Sequence, residues 1–233
     1  MKRSVAEKYR IRRYGAHGTS HQYVSQRVRS ILGTDDLKQI VLHLGNGASA
    51  SAIVRHHPID TSMGLTPLEG LVMGGRTGDI DPAAVFQLYR EAEMSIDEID
   101  ELFNRRSGMK GLTGHNDMRE IWKLIEAGDE QAEMAMEIYL HRLLKYVGAY
   151  WALLGGLDAL TFTAGVGEND PGVRWELCRS LAFMGVKIDQ ELNEEHFTRE
   201  AIISTPESTV KVLVIPTNEE LAIAQQVYSL VKH

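Results

Sequence analysis

The 233 residues contain a single cysteine, Cys178, and no C-x-x-C pair. One thiol closes no intramolecular disulfide, which excludes a disulfide scaffold, and there is no cysteine pair for metal or redox work. No apolar run approaches the ~18 residues that a membrane-crossing helix needs, and the first twenty residues are too polar for the core of a secretory signal. A basic excess is also missing: 25 Lys and Arg stand against 32 Asp and Glu, a formal net charge of -7. Binding nucleic acid or an anionic membrane as a main task needs a dense basic surface, which this balance does not supply. The cluster Arg10, Arg12 and Arg13 is therefore a local feature, and a cytoplasmic location is expected. Low-complexity segments, repeats at periods of roughly 20–50 residues and the Walker A pattern are absent as well.

What is present is an ordinary globular composition, 43% hydrophobic, in a chain long enough to bury a sizeable core. The pattern alternates strands and helices, which places it in the α/β class. A helix is expected over residues 22–32, closed by Gly33-Thr34-Asp35-Asp36. Two β-prone runs, 40–44 and one ending at 54, flank Gly45-Asn46-Gly47 and form a hairpin. A loop rich in Thr, Ser, Met and Gly covers 60–79, and Asp81-Pro82 reads as a cap with proline at the first position of a helix over 82–93. Met134, Ile138, Leu143, Val147, Tyr150 and Leu154 recur at mostly helical spacing, predicting one long packed helix over 131–154. A strand over 159–163 then runs into Ala164-Gly165-Val166-Gly167-Glu168-Asn169, with Pro171 in the first turn of the next helix. A last strand over 210–215 leads through Pro216-Thr217-Asn218-Glu219-Glu220 into a C-terminal helix.

Several segments carry chemistry. His43-Leu44-Gly45-Asn46-Gly47 removes Cβ atoms where backbone N–H groups would meet a phosphate, although Asn-Gly is also a common plain turn. The loop Gly165-Val166-Gly167-Glu168-Asn169 follows a strand and precedes a helix, a phosphate-cradling order. Two such loops without a Walker A sequence suggest a nucleotide site of the actin and hexokinase kind. Arg76, in Met73-Gly74-Gly75-Arg76-Thr77-Gly78-Asp79, has a fork of donors suited to a phosphoryl group in transfer, and its glycines give it a flexible-looking backbone. His17 and His21 crowd with Thr19 and Ser20 near a helix start; His17 is the better hydrogen-bond donor to a transferring oxygen. Thr217 to Glu220 fits a capping box, which occupies Glu220 and leaves Glu219 to face a hydrated Mg²⁺. Asp117-Met118-Arg119 opens a helix, and local chemistry alone does not raise it above a solvated first turn.

In this order RRYGAHGTSH, HLGNGASASAI, DTSMGLTPLEGLVMGGRTGDIDPA, SGMKGLTG, AGVGEN and IPTNEELAIA closely resemble the acetate kinases and their propionate-kinase relatives, over nearly the whole chain. The resemblance implies a ribonuclease H-like α/β domain of the acetate and sugar kinase, heat-shock protein and actin superfamily, the second of the usual two domains. It implies residues 1–216 as the nucleotide-binding domain and 217–233 as a helix packing on the first domain. It implies reversible phosphoryl transfer between MgATP (or MnATP) and acetate, giving acetyl phosphate and ADP, and a homodimer. His17 and Arg76 match the family's transition-state stabilisers. His43 to Gly47 and Gly165 to Asn169 match ATP segments at phosphates and ribose, while Asp117, Met118 and Arg119 match one near the base. Glu219 matches the metal residue and Pro67 a wall of the methyl pocket.

Ala16 stands where many members have phenylalanine, leaving room for propionate, and Gly75 and Thr77 replace the commoner Thr and Ser beside the arginine. The family's first domain, with its Asn/Ser/Lys phosphate loop, carboxylate-binding arginine and catalytic aspartate, has no counterpart here. This chain alone is therefore expected to bind adenine nucleotide weakly and to make acetyl phosphate poorly or not at all. A separate N-terminal domain is one expected partner, and propionate kinase and a non-catalytic nucleotide-binding fragment are the alternatives.

Overall fold

A computed structural model describes the backbone of residues 1–231 and the side chains of all of these except 225, 226, 229 and 231. The chain divides into two compact units. One comprises His17–Gly45, Ser49–Thr61 and Leu143–His233; the other comprises Met1–Ala16, Asn46–Ala48 and Ser62–Arg142.

The first of these is built on a six-stranded sheet. Its strands are β1 (Lys38–Leu44), β2 (Ala48–Val54), β3 (His57–Thr61), β4 (Ala159–Thr163), β5 (Ala201–Ile202) and β6 (Lys211–Val214), in the order β3-β2-β1-β4-β6-β5. β1, β4 and β6 are parallel neighbours. Such strands are covered on both faces and read as near-continuous apolar runs, and β4 is buried at every position. β3 is antiparallel to β2 and mostly exposed. It was not legible in the sequence because Pro58 and two histidines interrupt the β pattern; proline is tolerated there because an edge strand has an unpaired side. The α/β class is the one expected.

Helix α2 (Gly18–Leu32) begins four residues earlier than expected and stops at Gly33, whose φ of 68° is the left-handed cap glycine adopts at little cost. Its Val24 and Val28 pack with Leu37, Val41, Ile53, Ala159, Leu213 and Ile215. Burying each such side chain contributes about 1.5–3 kcal/mol. The half-exposed ion pairs of Arg27 with Glu200 and Arg29 with Asp35 add at most about 1 kcal/mol apiece. Apolar burial therefore holds α2 to the sheet. Helix α11 (Glu219–Val231) also lies against α2, with Ala222 buried and Leu221, Ile223, Val227, Tyr228 and Leu230 exposed. Residues 232 and 233 lie outside the described residues.

The long helix α7 (Glu130–Leu154) supplies its first half to one unit and its second half to the other. Its buried stripe is Ala132, Ala135, Met136, Tyr139, Leu143, Val147, Tyr150 and Leu154. Met134 and Ile138, expected in the core, are 51% and 38% exposed; the 3.6-residue period carries the stripe through 135 and 139 instead. The second unit holds α1 (Arg3–Tyr9), α3 (Ala83–Glu91), α4 (Ile96–Arg105), α5 (Gly108–Thr113) and α6 (Met118–Glu126). Asp81 accepts from the Ala83 N–H, but α3 starts one residue after Pro82 was expected to open it. α4 carries an unanticipated capping box: the Glu98 N–H donates to Ser95 Oγ and the Ser95 N–H donates to the Glu98 carboxylate.

Segment 164–169 is a short helix, α8 (Ala164–Asn169), and not the glycine loop expected. Its C-terminal end is tied by Arg174 of α9 (Pro171–Ser180), which is 1% exposed. Arg174 Nη1 donates to the Gly167 and Glu168 carbonyls at 3.0 and 2.9 Å. Nε and Nη2 donate to the side chain and carbonyl of Asn193 in α10 (Gln190–Glu194). Burial pulls the guanidinium down to about 10, so it stays charged at neutral pH. Arg174→Met would strand four oxygens from their donor. It is expected to lower stability by about 3 kcal/mol or more, measured as the urea midpoint; an unchanged midpoint would contradict the assigned role.

Candidate phosphoryl-transfer site

The parallel register sets the first cluster of site residues. His43 stands opposite Thr163, and Phe162 opposite Val214, so β1, β4 and β6 end side by side. The segments that follow them are His43 to Gly47, α8, and 215–219. In open α/β sheets ligands bind outside the carboxyl ends of the strands.

Side chains lace these ends together. Ser20 Oγ lies 2.8 Å from His43 Nδ1 and 2.8 Å from Thr217 Oγ1. Glu168 accepts from the Ala164 N–H at 2.7 Å and from the Thr217 N–H at 3.1 Å. Its carboxylate is thus turned onto the backbone of two strand ends. Thr217 does not form the expected capping box. Asn218 caps α11, its Oδ1 accepting from the Leu221 N–H at 2.9 Å, because the Thr217 hydroxyl is already engaged by Ser20. Glu219 is the exposed first residue of α11.

His17 occupies the N-cap of α2 with φ 60°, a left-handed conformation uncommon for a non-glycine residue. Its ring stacks on His43, centroids 3.9 Å apart and 19° between planes. Its Nδ1 is 2.8 Å from Ser49 Oγ, which is 2.7 Å from His21 Nε2. Ala164, at the other strand end, is also left-handed, with φ 65°. His43 is 7% exposed and His21 5%. Burial, with the neighbouring imidazoles, lowers His43 to about 4 and His21 to about 3; both are neutral at pH 7.

The second unit holds the other site residues. Arg76 lies half-buried in a segment pinned at several points. The Met109, Lys110 and Ser107 N–H groups donate to the carbonyls of Met73, Gly74 and Gly75, and the Thr77 N–H donates to that of Phe103. The backbone that looked flexible from its glycines is therefore fixed. Gly108, at φ 61°, makes this possible, since a Cβ there would overlap the Met73 and Arg76 carbonyl oxygens. Asn46, at the β1–β2 turn, accepts from the Gly74 N–H through its carbonyl and meets Asn116 Nδ2 at 3.5 Å. Asp117 caps α6, accepts from the Arg119 N–H and pairs with its guanidinium at 2.6 Å. Those bonds hold its carboxyl down to about 2. Met118 is buried, while Pro67 is exposed in a turn.

His17, His43, Leu44, Gly45, Glu219 and Gly165 to Asn169 thus share one unit; Asn46, Gly47, Pro67, Arg76 and Asp117 to Arg119 share the other. Sequence reasoning missed Ser49, Arg174 and Gly108. Ser49 and Gly108 carried a signal, since they lie within the HLGNGASASAI and SGMKGLTG segments; Arg174 carried none.

The family model for the acetokinases matches residues 1–225. An acetate kinase of Leifsonia xyli is 59% identical over 225 residues, which are 96% of this chain and 57% of that protein. Among solved structures, the acetate kinase of Porphyromonas gingivalis aligns with a TM-score of 0.95 at 44% identity, covering 99% of this chain and 59% of the other. A propionate kinase from Francisella tularensis aligns at 0.91 and 45%, covering 97% and 58%. The chain spans a little over half the length of these relatives.

The buried imidazoles make stability depend on pH. Their folded pKa values lie below the unfolded 6.5, so as pH falls from about 6.5 towards 4 the unfolded chain gains protons that the native chain refuses. The stabilisation is complete above pH 6.5 and is lost on acidification, with a slope from this pair approaching about 2.7 kcal/mol per pH unit. Urea midpoints at pH 7, 6 and 5 should fall accordingly, and His43→Asn should remove about half of that slope. A slope identical in wild type and variant would contradict the assignment.

Proposed function

From the premise that this chain belongs to the acetokinase family, we propose that it is the nucleotide-binding half of an acetate kinase. In the whole protein, phosphate passes reversibly between ATP and acetate. The observation that carries the reading is the cross-linked end of the parallel strands, where a half-buried His17 is stacked on a neutral His43 beside two glycine-bearing segments.

Phosphoryl transfer asks little covalent chemistry of a protein; positioning and charge stabilisation carry it. Gly45 and Gly47 let phosphates approach the backbone, with His43, Leu44, Asn46 and the short helix of Gly165, Val166, Gly167, Glu168 and Asn169 shaping the surroundings. Asp117, Met118 and Arg119 lie towards the base. Arg76 and His17 donate to the oxygens that gain charge in transfer. Pro67 borders the acid's methyl group.

Mg²⁺ keeps several waters and takes one or two carboxylates with the substrate's phosphates. Among the described residues no three His, Cys, Asp or Glu side chains gather to hold an ion by themselves. An exposed Glu219 at the start of α11 fits an ion carried in by ATP and touched through water, which when bound would offset phosphate charge.

The acid-binding arginine and the catalytic aspartate belong, by family resemblance, to a first domain. The exposed apolar side chains of α11 suit packing against such a domain. A cytoplasmic homodimer is part of the same reading. Propionate kinase is the second reading, favoured by the small Ala16 and by the likeness to the Francisella enzyme.

A coupled assay for acetyl phosphate from ATP, Mg²⁺ and acetate tests the proposal, with the chain alone and with the first domain of a close relative. Turnover is expected only with the added domain, and His17→Ala or Arg76→Ala should cut it about 10²–10³-fold. Silence in both arms would favour a non-catalytic nucleotide-binding module. A higher rate on propionate would favour the second reading.

A further inference from the structure

Ser49 is fully buried on β2 with its hydroxyl between two imidazoles, 2.8 Å from His17 Nδ1 and 2.7 Å from His21 Nε2. A serine hydroxyl has one proton to give. His21 is buried and neutral, so it too has one ring proton, and its Nδ1 is buried with no hydrogen-bond partner among the described residues.

Three proton arrangements are available. If Ser49 donates to His21, the His21 proton must sit on Nδ1, a buried donor with no acceptor. If both imidazoles donate to Ser49, the serine proton is left without one, since both nitrogens it faces already carry hydrogens. If His21 Nε2–H donates to Ser49 and Ser49 O–H donates to His17 Nδ1, no buried hydrogen is stranded, and only a lone pair on His21 lacks a partner. Orphaned buried donors are the rarer defect.

We infer that Ser49 and His21 are positioning residues that set the tautomer of His17, keeping its Nδ1 as an acceptor and its proton on Nε2. The direction of the relay runs from His21 through Ser49 to His17, and His17 ends it as a neutral Nε2–H donor. That this donor meets a phosphoryl oxygen rests on the function proposed above; the tautomer does not.

The relay also resists charging of His17. Adding a proton at Nδ1 would force Ser49 to turn its hydrogen to His21, whose own proton would have to move to the partnerless Nδ1. The arrangement therefore favours a fixed, uncharged donor over an imidazolium.

Long-range ¹H–¹⁵N correlation on the uniformly labelled chain reads the tautomer directly. At neutral pH, His17 and His21 should each show a protonated Nε2 and a bare Nδ1. In Ser49→Ala, the His17 pattern should become a mixture of the two tautomers, and Ser49→Thr, which keeps a hydroxyl and suits a strand, should restore it. A proton found on His17 Nδ1 in the wild type, or a Ser49→Ala pattern identical to wild type, would overturn the inference. Where a first domain restores turnover, Ser49→Ala should lower kcat about ten-fold with KM unchanged and Ser49→Thr should recover it. An unchanged kcat would overturn the positioning role. Absence of turnover in the wild type would count against the proposed function and leave the tautomer measurement standing.

Discussion

The pairing of β1, β4 and β6 in one parallel register is the constraint on which the rest of this structure depends. Parallel strands joined by helical crossovers must deliver their carboxyl ends to the same edge. His43, Thr163 and Val214 reach that edge within a residue of one another. Segments far apart in sequence are thereby brought within hydrogen-bond reach: Ser20 and Thr217, 197 positions apart, touch at 2.8 Å. A one-residue slip would carry each buried side chain to the opposite face of the sheet, against different neighbours, so packing on both faces of these strands holds the geometry of the polar site.

At that edge the chain buries polar groups, which costs free energy unless each is partnered. Ser20, Ser49, Thr217 and Glu168 supply the partners, joining α2, β1, β2, α8 and the start of α11. Burial keeps His21 and His43 uncharged, which lets three imidazoles crowd together without repulsion. The ring stacked on His17 is thus a neutral one.

Strands β1, β4 and β6 were legible because buried parallel strands are almost wholly apolar, and α2 and α7 because their apolar stripes repeat at the helical period. Segment 164–169 was misread since two glycines suggest a loop. Each costs a helix only about 1 kcal/mol, and the buried Arg174, on the helix that follows, binds the carbonyls at its end. The capping box at Thr217 failed for a related reason: local sequence favours it, but a hydroxyl from α2 competes for the same side chain and leaves Asn218 to cap. Arg76, His17 and the glycine segments were recognisable as chemistry. What fixes them in place, Gly108 for Arg76 and Ser49 for His17, lies at long sequence separation, and these pairings follow only from the fold.

The most direct test of the account is a titration of the ¹⁵N-labelled chain with MgADP, following backbone amides. Weak saturable binding is expected, with shifts concentrated at 43–47, 117–119 and 165–169 and at the amides of His17 and Glu219. Shifts confined to other surfaces, or none at millimolar nucleotide, would contradict a nucleotide site at the carboxyl ends of the parallel strands.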